Sequence, residues 1–377
     1  MTAPLSTARR PAALRRLADA ATWLTTPLLP EDYLGLINPL WSTEELRGRI
    51  EAVRLETADA ATIVIRPGRT WTGHRAGQWI RIGVDINGVR HWRTFSLSDA
   101  PGQADGARRD RATATLAITV KANPEGVVST HLVRDIKPGP IVGLAQAEGE
   151  FVLPSPVPGR MLFVTAGSGI TPVMAMLRSL ARDGSMPDVV LVHSAPTAED
   201  VIFGSELRAL AARFPTLRLH ERHTRADGRF KPAELSDLCP DWHERPTWAC
   251  GPADLLDELT AYWSSTRQET GQEMGGNLHL EHFRPPALVS GGEGGRVRFT
   301  RSGREADADG GTPLLEVGEN AGALMPSGCR MGICYSCVGR LCSGQVRDLR
   351  TGEVHGEEGH LIQTCVSAAA GPVEIEL

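Results

Sequence analysis

The stretch SGCRMGICYSCVG, Ser327 to Gly339, places three cysteines within nine positions of a 377-residue chain that has seven in all. Their spacing is Cys329-x4-Cys334-x2-Cys337, and Cys365 follows after 27 intervening residues. Two sulfide-bridged irons need four thiolates, and a tight loop supplies three of them from one side. Gly328 and Gly332 let backbone N–H groups approach the sulfurs, and such hydrogen bonds tune a cluster's potential. A four-cysteine zinc site is the competing reading. Zinc ligands usually come as two C-x2-C pairs, whereas the fourth cysteine here stands alone. The spacing therefore predicts a [2Fe–2S] centre on Cys329, Cys334, Cys337 and Cys365. Cys342 lies outside the pattern and reads as a small buried hydrophobe.

A second group of residues suits nucleotides. TAGSGITPVMAML, Thr165 to Leu177, reads as a strand, a glycine turn and a helix, with Thr171 as a helix cap and Pro172 in the first turn. Gly167 and Gly169 open the backbone to a ligand, and the helix N-terminus attracts a pyrophosphate. A plain strand-to-helix turn has the same look. Cys250-Gly251-Pro252 ends another strand, where ligands of open parallel sheets bind; a packed thiol is the bland alternative. Arg93-Thr94-Phe95-Ser96 combines a cation, an aromatic and hydroxyls that suit a flat, charged ligand or merely a strand edge. Gly126-Val127-Val128-Ser129 can open a helix and receive a phosphate.

The elements around these residues divide the chain. Short alternating runs between about Gly48 and Val152, such as GQWIRIGVDING and ATATLAITVKAN, predict an antiparallel barrel or sandwich. From Arg160 to about Phe283 strands alternate with helices, among them one from Ala253 to Trp263, which predicts a parallel sheet covered on both faces. PSPVPG, Pro154 to Gly159, and RPPALVSGGEGG, Arg284 to Gly295, read as linkers. The expected organisation is a helical arm over 1–44, a flavin-binding barrel over 45–155, a nucleotide domain over 159–284, a linker over 285–295 and a cluster domain over 296–377. The last segment reads as strands around a Ser-Gly turn, a short helix over Thr312 to Gly322, and a closing alternation of Val373, Ile375 and Leu377.

Together and in this order, the motifs resemble those of the ferredoxin–NADP reductase superfamily, in versions with a C-terminal plant-type ferredoxin of β-grasp fold. The resemblance covers residues from about 45 to 377. It implies FAD held by Arg93, Thr94, Phe95 and Ser96, with Phe95 against the flavin, Ser96 near its N5 and Arg93 on phosphate. Tyrosine is commoner at 95, so a hydroxyl is missing. Gly126 to Ser129 matches the family's second phosphate motif and favours FAD over FMN. Gly167, Ser168, Gly169, Ile170, Thr171 and Pro172 match its nicotinamide motif, and Cys250, Gly251 and Pro252 imply a thiol beside the nicotinamide. Ser96 and Cys250 are the catalytic candidates. The second strand of the nucleotide domain ends His193-Ser194-Ala195-Pro196 without an acid, while Arg225 and Arg229 follow the next strand. That favours NADPH, with NADH as the alternative.

The chain has 40 basic and 45 acidic residues, a formal charge of −5, which gives a nucleic-acid partner no electrostatic support. No apolar run suffices for a membrane span, and no secretory signal is evident. The uneven, odd set of cysteines fits a reducing cytoplasm. Arg9, Arg10, Arg15 and Arg16 precede any acid, and PAALRRLADAATWLTTPLL, Pro11 to Leu29, can form a basic amphipathic helix with Leu14, Leu17 and Trp23 on one side. It either packs on the barrel or sits peripherally at a membrane. LLPEDYLGLINPLWS, Leu28 to Ser42, resembles reductases that supply stearoyl-CoA Δ9-desaturase, a membrane diiron enzyme. That resemblance implies such a desaturase as redox acceptor. The reductase of a Rieske-type oxygenase or demethylase is the alternative, and a non-enzymatic redox sensor or metal-binding module the more distant one.

Overall fold

The computed structural model describes residues 37–102, 115–124, 126–270, 278–283, 291–327, 332, 335 and 337–377, the side chains of 267–270 excepted. Residues 1–36 of the expected helical arm, most of the second linker, and Cys329 and Cys334 lie outside these residues.

Alternation builds the first unit. Strands β1 (Arg47–Thr57), β2 (Ala60–Pro67), β3 (Trp79–Ile86), β4 (Val89–Ser96), β5 (Leu116–Lys121) and β6 (Ile141–Leu144) form an antiparallel sheet in the order β4-β3-β6-β1-β2-β5. A bridge between Leu97 and Ile118 joins the two ends of that order and closes the sheet into a barrel. Every second residue points inward, so Ile63, Ile65, Ile80 and Ile82 fill the interior. The β3–β4 hairpin turns on Asn87 and Gly88, both at positive φ (51° and 80°), which is the backbone a two-residue turn demands. Helix α1 (Val127–Arg134) plugs the barrel with Val128, Leu132 and Val133.

The second unit is a five-stranded parallel sheet. Its strands β7 (Arg160–Ala166), β8 (Asp188–Ala195), β9 (Leu217–His223), β10 (Thr247–Gly251) and β11 (Leu278–His282) lie in the order β11-β10-β7-β8-β9. Both faces are covered, so MLFV and VVLV run apolar without a break. Phe163, Val189 and Leu191 pack under helices α2 (Ile170–Arg182) and α3 (Gly204–Arg213). Leu162, Val164 and Val190 pack under helix α4 (Ala253–Thr270). This last helix runs past Trp263, where the sequence reading ended it. Its hydroxyls bond back within the helix, Thr260 to the Leu256 carbonyl at 2.7 Å and Ser264 to that of Thr260 at 2.8 Å, so these polar residues do not terminate it. The reading of Thr171 as a cap is also corrected. Helix α2 starts at Ile170, one residue earlier, and the Thr171 hydroxyl donates to the Ser168 carbonyl at 2.9 Å.

The third unit comprises β12 (Gly295–Phe299), β13 (Arg304–Ala308), helix α5 (Leu314–Asn320), β14 (Val338–Asp348), β15 (Val354–His355), β16 (Leu361–Gln363) and β17 (Ser367–Glu376). The sheet order is β13-β12-β17-β14-β15, with β16 paired to β14 and β12 parallel to β17. Val297, Phe299, Leu341, Val373 and Ile375 form its core beneath Leu314 and Val317 of α5. Cys342 is half-exposed on β14 rather than buried, because the strand's alternation gives the inward place to Leu341. Among the described residues no helix is long and apolar enough to cross a membrane.

Candidate functional site

In the parallel sheet the chain moves from β7 to β8 on one side and reaches β10 on the other. Such a reversal of order opens a crevice at the strands' C-terminal ends. The two sequence motifs of this unit meet there. The turn Gly167–Gly169 follows β7, and Cys250, Gly251 and Pro252 follow from β10. A Cβ at Gly169 would lie 2.0 Å from the Cys250 carbonyl oxygen, so only glycine lets the two backbones abut. Gly167 sits at φ 54°, the left-handed region. Ser168 is half-buried at the turn, whereas Ile170 and Pro172 are buried beneath it, with Ile170 in the core of the unit.

Strand β4 brings the flavin-motif residues to the same crevice. Ser96 is buried, and its hydroxyl donates to the Glu281 carboxylate on β11 at 3.4 Å. Thr94 lies two residues back, on the same side of the strand. Its hydroxyl oxygen is buried and has no hydrogen-bond partner among the described residues. Phe95 packs partly against the barrel core, and the Arg93 guanidinium donates to the Trp92 carbonyl at 2.8 Å.

Glu281 escaped the sequence reading, which took NLHLEHF only as a strand. The available signal was an acid in a strand that also carries the apolar, partly buried Leu278 and Leu280. Parallel pairing sets Glu281 beside Cys250, and the same row continues through Thr165 and His193 to Glu221. Burial pushes the Glu281 carboxyl up to about 8, against the opposing pull of the Ser96 hydrogen bond. Burial, and then the neighbouring Glu281, raise the Cys250 thiol well above its ordinary value. Cys250 is therefore a neutral thiol at physiological pH, and Glu281 is poised to hold or release a proton there.

The remaining predicted residues are more dispersed. Gly126 precedes α1, and the Ser129 hydroxyl closes its own turn, accepting from Asn123 N at 3.1 Å and donating to the Gly126 carbonyl at 3.2 Å. Val127 is exposed and Val128 is buried in the barrel core. Ser194 is buried at the end of β8. Arg225 is exposed on the turn Thr224–Asp227, and its N–H donates to the Pro196 carbonyl at 3.1 Å, which joins the two loops. Arg229 pairs with Asp254 at 3.1 Å.

In the third unit Cys337 and Cys365 are both buried, with Leu315 and Val366 around them. Thr364 joins their segments, donating through its hydroxyl to the Cys337 carbonyl at 2.7 Å. The Gly332 carbonyl accepts from Gln363 Nε2 at 2.8 Å and from Arg350 Nη1 at 3.3 Å. Gly332 has φ 71°, and a Cβ there would meet Arg350 at 2.9 Å and Val366 at 3.0 Å. Glycine is thus demanded inside the cysteine loop. Buried soft sulfur ligands around such a loop fit an iron–sulfur cluster. The buried Thr94 hydroxyl and the glycine-lined crevice fit a flavin and a dinucleotide.

Residues 297–370 match the family described as the 2Fe-2S iron-sulfur cluster binding domain, and residues 163–255 match the oxidoreductase NAD-binding domain. The chain is 51% identical over 366 residues to the NADPH oxidoreductase of Mycobacterium tuberculosis (strain ATCC 25618 / H37Rv), covering 97% of this chain and 92% of that protein. It is 28% identical to the glycine betaine monooxygenase reductase subunit of Pseudomonas aeruginosa (strain UCBPP-PA14), over 80% of this chain and 87% of that one. Among solved structures, phthalate dioxygenase reductase superposes with a TM-score of 0.58 at 25% identity, covering 88% of this chain and 97% of that one.

Proposed function

The chain belongs to the ferredoxin–NADP reductase superfamily, in its form with a C-terminal [2Fe–2S] ferredoxin domain, and on that premise we propose which donor and which acceptor it serves. It is an NAD(P)H-dependent flavin and [2Fe–2S] electron-transfer reductase. The donor proposed is NADPH, and the acceptor is a membrane-bound stearoyl-CoA Δ9-desaturase. The observation that carries the electron path is the meeting of Ser96 from the barrel with Glu281 beside Cys250.

Bound FAD supplies the conversion of an electron pair into single electrons that a cluster can accept. The chain's residues do the rest. Thr94 and Ser96 present hydroxyls to the flavin edge. The Gly167–Gly169 turn and the α2 N-terminus take the pyrophosphate of the dinucleotide. Cys250 packs as a neutral thiol beside the nicotinamide. Glu281, hydrogen-bonded to Ser96, would accept a proton from the flavin edge when ionised. Cys329, Cys334, Cys337 and Cys365 hold the cluster, with Arg350 and Gln363 steadying the loop at Gly332.

NADPH rather than NADH is supported by the absence of an acid at the end of β8, by Ser194 and Arg225 near that end, and by the name of the mycobacterial relative. The desaturase reading rests on the Leu28–Ser42 resemblance. A Rieske-type oxygenase as acceptor is supported by relatives named as monooxygenase reductase subunits. Turnover of purified desaturase and purified Rieske oxygenase, each with this protein and NADPH as sole electron source, separates the two. Product from the oxygenase alone would overturn the desaturase assignment. An NADH kcat/KM equal to that of NADPH would overturn the choice of donor.

A further inference from the structure

We infer that Arg178 is a positioning residue that sets the angle between the flavin barrel and the nucleotide sheet. The inference rests on the reading above, in which NADPH reduces a flavin held between the barrel and the nucleotide sheet. Arg178 lies in the second half of α2, the helix whose first turn faces the dinucleotide. Its Nη1 donates to the Ser98 carbonyl at 2.5 Å, two residues beyond Ser96. Its Nε and Nη2 grip both oxygens of Glu206 on α3, at 2.8 and 2.6 Å. The same guanidinium lies 4.7 Å from the ring centroid of Phe203. One planar group therefore joins four elements: the continuation of the flavin strand, helix α2, helix α3 and the loop between β8 and α3.

The anchors on each side are stiff. Ser98 N donates to the Ala117 carbonyl at 2.8 Å, the Ser98 hydroxyl meets that of Thr119 at 2.8 Å, and Asp99 Oδ1 accepts from Ala117 N at 2.8 Å. The segment that Arg178 grips is thus pinned to β5. Helix α2 buries ten of its thirteen residues. Phe203 is buried with φ 62°, a left-handed backbone that a bulky residue adopts only when its surroundings impose it. Arg182, one turn further along α2, donates to the Pro101 carbonyl and reinforces the same junction.

Beside these polar ties the junction also has close apolar contact: a Cβ at Gly77 of the barrel would lie 2.6 Å from Met176 Cε of α2. Apolar contact is non-directional and permits sliding, whereas a bidentate guanidinium fixes orientation. Rates of transfer between held reactants are sensitive to such orientation, and a displacement of about 1 Å costs about a hundredfold.

The test uses the holoenzyme with FAD and cluster loaded, comparing wild type with Arg178→Gln and Arg178→Lys. A third variant, Glu206→Gln, leaves Arg178 in place and serves if the first pair folds poorly. In the Arg178 variants flavin reduction at saturating NADPH should slow about ten- to a hundredfold, with Kd for NADP+ within about twofold of wild type. The long-wavelength charge-transfer absorbance on mixing flavin and nicotinamide should fall. Amide hydrogen exchange over residues 97–102 and 172–182 should quicken in parallel. Lys, which keeps the charge and loses the fork, should lie between Gln and wild type. Wild-type rate, absorbance and exchange in the Gln variant would overturn the inference, as would a loss confined to Kd. A wild-type holoenzyme inert to both NADPH and NADH would instead sink the functional reading, leaving hydrogen exchange to judge the tie.

Discussion

Ser96 and Glu281 stand 185 residues apart in the chain, yet the hydroxyl of one donates to the carboxylate of the other at 3.4 Å across the seam between barrel and parallel sheet. The distance is long for a hydroxyl–carboxylate bond, as catalytic hydrogen bonds often are before substrate tightens them. Burial raises this carboxyl to about 8, which suits it to proton exchange at neutral pH.

Glu281→Gln should therefore keep shape and lose proton transfer. Flavin reoxidation through the cluster should slow about a hundredfold. In wild type Glu281 accepts a proton only when ionised, so the rate should rise with pH through about 8. The glutamine variant should show a flat profile there. Stopped-flow absorbance at a series of pH values reads this, and an unchanged inflection in the variant would assign it to another group.

Gly169→Ala probes the crevice itself. The added methyl would meet backbone atoms of Cys250 at 2.0 and 2.4 Å, so the turn must move. Overpacking costs about 1–3 kcal/mol, which in NADPH affinity is about five- to 150-fold. FAD content and cluster content should stay at wild-type levels. Isothermal titration with NADP+ checks the first and absorbance the others; unaltered affinity would show that the turn does not face the dinucleotide.

Cys337→Ala should separate the two redox centres. Iron and acid-labile sulfide should fall from about two each per chain to near none. Reduction of the flavin by NADPH should persist. If iron and sulfide remain at wild-type levels in the variant, the four-cysteine assignment is wrong.

His193 makes the fold acid-sensitive. It is fully buried on β8, its Nδ1 meets the Thr165 hydroxyl at 2.8 Å, and burial lowers its pKa from 6.5 to about 4. The unfolded chain then binds more protons between those values, so this stability is present above pH 6.5 and is lost as pH falls towards 4. The loss is on the order of 3 kcal/mol for a shift of this size. Denaturant melts of wild type and His193→Gln at pH 7 and pH 4.5 should show a smaller decline in the variant; equal declines would remove His193 as the cause.

Much of this protein was legible as sequence because it is local. A cluster loop is a property of consecutive residues, so the spacing of Cys329, Cys334 and Cys337 predicts one, and the segment that holds them matches a 2Fe-2S domain. Side-chain period is equally local: alternation over GQWIRIGVDING marked a barrel strand and the turn after it, and apolar runs such as MLFV, broken by glycine turns, marked a parallel sheet. Finer detail already slipped. Thr171 reads as a cap, but one extra residue of helix turns its hydroxyl back onto Ser168. The helix read as ending at Trp263 runs on to Thr270, and the Ser264 hydroxyl bonds to the Thr260 carbonyl within it.

Tertiary structure alone decided which distant residues share a site. Nothing in NLHLEHF says that β11 will lie beside β10 and so bring Glu281 to Cys250 and Ser96; strand order is a global outcome of packing. Nothing in VMAMLRSLAR says that its first arginine will hold Ser98, Glu206 and Phe203 at once. Local pattern specifies the strands, turns and cysteine loop, because it depends on neighbours in the chain. Proton exchange and domain angle depend on neighbours in space, and those exist only once the barrel and the sheet have met.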